Sequence, residues 1–152
     1  MESVSNLTKE TVAALQELVE VNIDSSKGFV EAADKIENPE IASLFRECGQ
    51  EREKNANELR DIVRVNGEAA ESDGSATGML HRWWLNIRGT VTGGNEHTVL
   101  ADAERGEDAI KHRYEDTLQQ TAGSAVNDVL QKQYAGVKSR HDQIRDMRDV
   151  RA

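Results

Sequence analysis

The chain of 152 residues has one cysteine, one proline and only two each of Phe, Trp and Tyr. A lone Cys48 excludes an intramolecular disulfide and a cysteine-based zinc site. With no histidine near it in sequence, it reads as a buried apolar thiol rather than a nucleophile. The shortage of proline and aromatics, beside recurring Ala, Glu, Gln, Arg and Leu, is the composition of long helices and not of a sheet. Positive charge is scarce and never blocked together, and the formal net charge of −9 argues against binding by phosphate neutralisation, so nucleic acid is not an expected partner. No apolar run approaches the ~20 residues that span a bilayer. The opening MESVSNLTKE has neither a basic nor an apolar leader region, so the expected location is cytoplasmic, with no membrane partner. What remains is 37% hydrophobic, enough for one compact domain over residues 1–152.

The apolar residues recur at steps of three and four. Val12, Leu15, Val19, Asn22, Ser26, Phe29, Ala33 and Ile36 form one stripe, predicting a helix from about Leu7 to Glu37. In "ENPEIASLF", Asn38 is a natural N-cap and Pro39 suits the first helical position. A second stripe, Ile41, Phe45, Cys48, Arg52, Asn55, Leu59 and Ile62, stops at Asn66–Gly67, where glycine can take the left-handed conformation. The short link makes these two helices antiparallel neighbours. From Asn95 a third stripe follows Leu100, Ala103, Glu107, Ile110, Tyr114, Thr117 and Thr121 to Gly123. Ser124 is placed to cap the last helix, whose stripe is Val126, Leu130, Gln133, Val137, Arg140, Ile144 and Met147.

Between the hairpins lies a long connection, residues 68–96, polar at both ends and amphipathic in "MLHRWWLNIRGTV". It is long enough to carry the chain back along the whole bundle, so two antiparallel hairpins joined by a partly helical crossover are expected. Trp83 and Trp84 point about 100° apart on a helix. One is expected to cap the bundle, the other to cover a satellite cluster or anchor a partner, which makes the pair the candidate interface.

The segments "LHRWW", "ERGEDAIKHRYEDTL" and "VKSRHDQIRDMRD" give the chain, over essentially its whole length, a resemblance to small bacterial ferritin-like proteins of unknown function, distant relatives of rubrerythrin and ferritin. The resemblance implies an all-α, ferritin-like four-helix bundle. The wider group holds two metals between its helices, with Glu-x-x-His pairs that project inward from one face. Here the residues three before His81, His97, His112 and His141 are Gly78, Gly94, Ala109 and Lys138, so the motif does not occur.

Folding each hairpin brings Asn22, Ser26, Arg52, Asn55, Glu107 and Gln133 to one level at mid-bundle. Arginine cannot lose its proton or ligate iron, but it suits a buried carboxylate. The expectation is therefore an Arg52–Glu107 pair whose remaining polar atoms are satisfied by Asn22, Asn55 and Gln133, with Glu107→Gln milder than Arg52→Met. Glu107 is read as the one charge of its helix carried into the seam; Asp102, Glu104, Asp108, Lys111, Glu115 and Asp116 are read as solvated. Tyr114 and Tyr134 are expected as core aromatics with hydroxyls at the rim, and Gly106 and Gly136 as possible points of close helix approach.

This reading favours a non-enzymatic structural or stress-associated bundle that works by self-association, as a dimer, or by binding another protein, with no cofactor. The alternative is an iron- or manganese-binding storage or redox protein with a nonstandard site drawn from Asp24, Glu51, Glu107 and His141. A hydrolase has no support, because Ser139 and His141 point apart at i and i+2.

Overall fold

Two polar side chains start the first hairpin. Thr8 is extended and its hydroxyl accepts from Thr11 N–H at 3.2 Å, opening α1, Lys9–Ala33. Asn38 accepts from the N–H groups of Glu40 and Ile41 at 2.9 and 3.2 Å, opening α2, Pro39–Val65, with proline at the first position. The computed structural model describes residues 4–70 and 95–151. The periodicity carries α1 on to Glu37, but the helix stops at Ala33. The N–H groups of Lys35 and Ile36 fold back three residues onto Ala32 and Ala33, and the residue before Pro39 is disfavoured in helical conformation. Ile36 still packs on the core from the loop.

α2 ends at Asn66–Gly67, with Gly67 at φ +82°, the left-handed position that favours glycine. The Asn66 carboxamide then ties down the start of the chain: it accepts from Leu7 N–H at 2.9 Å and donates to Val4 O at 2.7 Å. Asn95 caps α3, Glu96–Gln120, through Thr98 N–H at 3.0 Å. Gly123, at φ +84°, turns the chain into α4, Asn127–Asp149. Ser124 is not the cap expected of it: the helix begins three residues later, and the N-cap is the buried Val126, which offers no side-chain acceptor. Ser124 Oγ instead holds the turn before the helix, accepting from the N–H of the buried Val126 at 3.4 Å.

The four helices form an all-α bundle in which α1 packs on α2, α3 on α4, and the hairpins meet partly through α1 and α3. The start of α2 lies beside the start of α3, where Asn38 donates to Glu96 at 3.1 Å, and Arg151, just beyond α4, reaches Glu96 from the same end. The end of α2 lies at the other end, against Leu7. α2 and α3 are therefore parallel, and the chain that joins them must connect opposite ends of a bundle roughly 40 Å long. Trp83 and Trp84, and the expected helix that carries them, lie outside the described residues.

The core is continuous from Val12 to Ile144, with Phe29 and Phe45 edge to face at 5.1 Å where α1 and α2 meet. The close approach of helices is set by Gly49, where a Cβ would come within 2.9 Å of Val30 Cγ2 and 3.2 Å of Ser26 O. Gly136, expected in that role, has nothing within 4 Å of its Cβ direction. Among the described residues no helix is long and apolar enough to cross a membrane.

Candidate functional site

At mid-height the seam turns polar. Arg52 of α2 donates from Nη2 to Glu107 Oε2 of α3, and both side chains are fully excluded from solvent. Burial works against the charge on Arg52, but Glu107 beside it holds the guanidinium above its ordinary value. Burial likewise pushes the Glu107 carboxyl up, with Arg52 pulling the other way. Since a guanidinium does not give up its proton, the group in this pair that can change charge is Glu107.

The neighbouring amides do not serve the pair. Among the described residues, Arg52 Nε and Nη1 and Glu107 Oε1 find no further hydrogen-bond partner. Asn22, Asn55 and Gln133 gather instead around Tyr114, whose hydroxyl is fully buried at the centre and not at the rim. Asn22 Nδ2 donates to Tyr114 Oη at 2.9 Å and to Leu18 O at 2.8 Å. Tyr114 donates to Gln133 Oε1 at 2.8 Å, and Gln133 Nε2 donates to Glu58 Oε1 at 2.9 Å. Asn55 joins through its backbone carbonyl, 3.4 Å from Gln133 Nε2. One residue from each helix thus joins a single hydrogen-bonded line across the bundle. Burial pushes the Tyr114 phenol up to about 12. Cys48, beside the ion pair, is also raised to about 12 by burial and stays a thiol. Ser26 is half-exposed in the groove between α1 and α2, while its neighbour Ser25 is buried in the seam. Tyr134 is the tyrosine at the margin, where it donates to Glu115 at 2.5 Å.

One turn from Glu107, the margin between α3 and α4 holds a second cluster. Glu104, read from the sequence as solvated, is buried because α4 lies over that side of α3, and Asp102, also read as solvated, is buried on a different face, about 200° round the helix. Asp102 is held by Arg105 and Glu104 Oε2 by Arg148. The buried His141 of α4 places Nε2 at 2.6 Å from Asp108 Oδ1 and 3.7 Å from Glu104 Oε1, and Nδ1 at 3.1 Å from Asp142 Oδ1. Arg140, one residue earlier, turns the other way, onto Glu51 at 2.8 and 3.0 Å and Glu47 at 3.2 Å.

The mid-layer does not fit the metal centre of a ferritin-like bundle. Its fully buried carboxylate, Glu107, is in direct contact with a permanent buried cation, and a cation repels another cation most strongly where water cannot screen it. Nor are Asp24, Glu51, Glu107 and His141 brought together as ligands. Glu51 is engaged by Arg140, Glu107 by Arg52, and Asp24 is half-buried on α1. Among the described residues, the acidic and histidine side chains whose ligand atoms converge within 4.8 Å are Glu104, Asp108 and His141. Glu104 and Asp108 were hidden by ordinary helix spacing: the i,i+4 acids look like any solvated pair until a histidine from α4 is placed against them.

Residues 10–120 match the model of a family described as "Domain of unknown function (DUF2383)", from the first turn of α1 to the last residue of α3, with α4 beyond the match. No curated protein matches the chain. The chain therefore belongs to this family of domains of unknown function.

Proposed function

We propose that the protein is a non-catalytic helical scaffold that acts by self-association, with an ion pair standing where a ferritin-like bundle would hold metal. The observation that carries this reading is the fully buried Arg52 against Glu107. A redox or storage centre of iron or manganese at mid-bundle needs several anionic ligands free to converge. Here the interior acid is already neutralised by a group that cannot ligate. The hydrogen-bonded line through Tyr114 supports the same view, since it ties all four helices to one another. A surface that recruits a second copy fits the general preference of soluble chains for symmetric dimers.

Sedimentation velocity over a wide concentration range tests it. A dimer is expected, accompanied by a concentration-dependent change in the emission of the two tryptophans, Trp83 and Trp84. A monomer at every concentration overturns the reading.

A further inference from the structure

We propose that Glu104, Asp108 and His141 form a binding site for a divalent first-row transition ion, zinc or manganese, at the margin between α3 and α4. The site is separate from the Arg52–Glu107 pair and independent of self-association. Three observations meet there. Two carboxylates one helical turn apart on α3 present Glu104 Oε1 and Asp108 Oδ1 to the same point. His141 is 8% exposed, and its Nε2, aimed at that point, makes no aligned hydrogen bond, although Asp108 Oδ1 is 2.6 Å away. The other ring nitrogen, Nδ1, lies 3.1 Å from the Asp142 carboxylate.

A histidine that donates Nδ1–H to a carboxylate has its ring orientation fixed and presents the Nε2 lone pair, the arrangement usual for a metal-bound imidazole. That lone pair would face two carboxylate oxygens, three acceptors turned toward one another, so a positive species belongs between them. One nitrogen and two carboxylate oxygens suit zinc or manganese, with water completing the coordination.

The distances allow it. Ligands about 2.0–2.1 Å from a tetrahedral ion stand about 3.4 Å apart. Glu104 Oε1 is 3.7 Å from Nε2, so it needs little movement. Asp108 must withdraw by about 0.8 Å from its 2.6 Å approach, and with its side chain 43% exposed it has room to do so. Arg148 engages Glu104 through Oε2, which leaves Oε1 to the ion and holds the carboxylate in place. Arg148 also moderates the charge of the cluster without filling it.

The test is calorimetric titration of the full chain, stripped with EDTA and dialysed, with zinc chloride and separately manganese chloride, and cobalt substitution to read the coordination from its visible bands. One ion per chain is expected. Asp108→Asn and His141→Gln should each weaken binding at least tenfold, and Asp142→Asn, which only positions the ring, about tenfold, as losses of supporting carboxylates do. Asp116→Asn, on the same helix, should leave the affinity unchanged. Asp108 is half-exposed, so its variant carries the test even if His141→Gln does not fold. Absence of stoichiometric binding overturns the proposal, as does binding that Asp108→Asn leaves intact.

Discussion

Glu107 and Glu104 lie one turn apart on the same helix, yet they meet different chemistry. Glu107 is fully buried against Arg52, a partner that is always charged. Glu104 sits at a seam edge with Arg148, Asp108 and His141, where side chains can move and water can enter. In the first place the acid serves the architecture, and a missing partner cannot be replaced from solvent. In the second the same type of side chain keeps an oxygen that an incoming ion can reach. The depth of burial, not the residue type, separates a structural charge from an available one.

The largest effect should come from removing the interior acid. Glu107→Gln leaves the guanidinium buried beside a neutral amide and is expected to cost about 3–5 kcal/mol, the range for a broken buried pair, measured by urea unfolding. Arg52→Met should cost less, about 1–3 kcal/mol near pH 5, because Glu107 can take up a proton whereas arginine cannot release one. This reverses the order that the sequence suggested. The pH dependence has a definite sign. A carboxyl whose folded pKa is raised contributes stability that is present below its unfolded value and lost as pH rises through the folded one, so Arg52→Met should weaken steadily above about pH 5. Replacing both together, Arg52→Met with Glu107→Leu, is expected to be near neutral or stabilising. Equal losses for both single variants at every pH would break the distinction between a fixed charge and an adjustable one.

Next in size is Tyr114→Phe, at about 1–2 kcal/mol, because Gln133 Oε1 loses its donor inside the bundle. The phenol ionises near 10 when exposed and at about 12 in the fold. Its contribution is therefore complete below pH 10 and is lost between pH 10 and 12, at up to about 1.4 kcal/mol per pH unit. The deficit of the variant should shrink over that window; a constant deficit would mean that the hydroxyl is not buried. The smallest effect is expected at the margin. Asp108→Asn in metal-free protein should change stability by no more than about 0.5 kcal/mol, as at other half-exposed positions. A loss as large as that of Glu107→Gln would erase the contrast between the two regions.

Much of the bundle was legible from spacing alone. Asn38–Pro39, Asn66–Gly67, Asn95 and Gly123 mark turns and helix ends because capping and left-handed backbone are local properties. Steps of three and four place Asn22, Arg52, Glu107, Tyr114 and Gln133 on the inward faces. The end of α1 and the start of α4 were read less well, since a stripe of apolar residues can continue through a loop that packs on the core, as Ile36 and Val126 do.

By itself, the sequence determined the level of each residue and most of the inward stripes, because the angle and rise per residue of a helix are fixed by its backbone. Only the tertiary structure decided who meets whom there. The amides of Asn22 and Gln133 turn to Tyr114 and not to the ion pair, and Glu104 and Asp108 acquire His141 from another helix. Side-chain reach and the rotation of one helix against its neighbour set those partnerships. Neither is encoded in the periodicity of a single strip of chain.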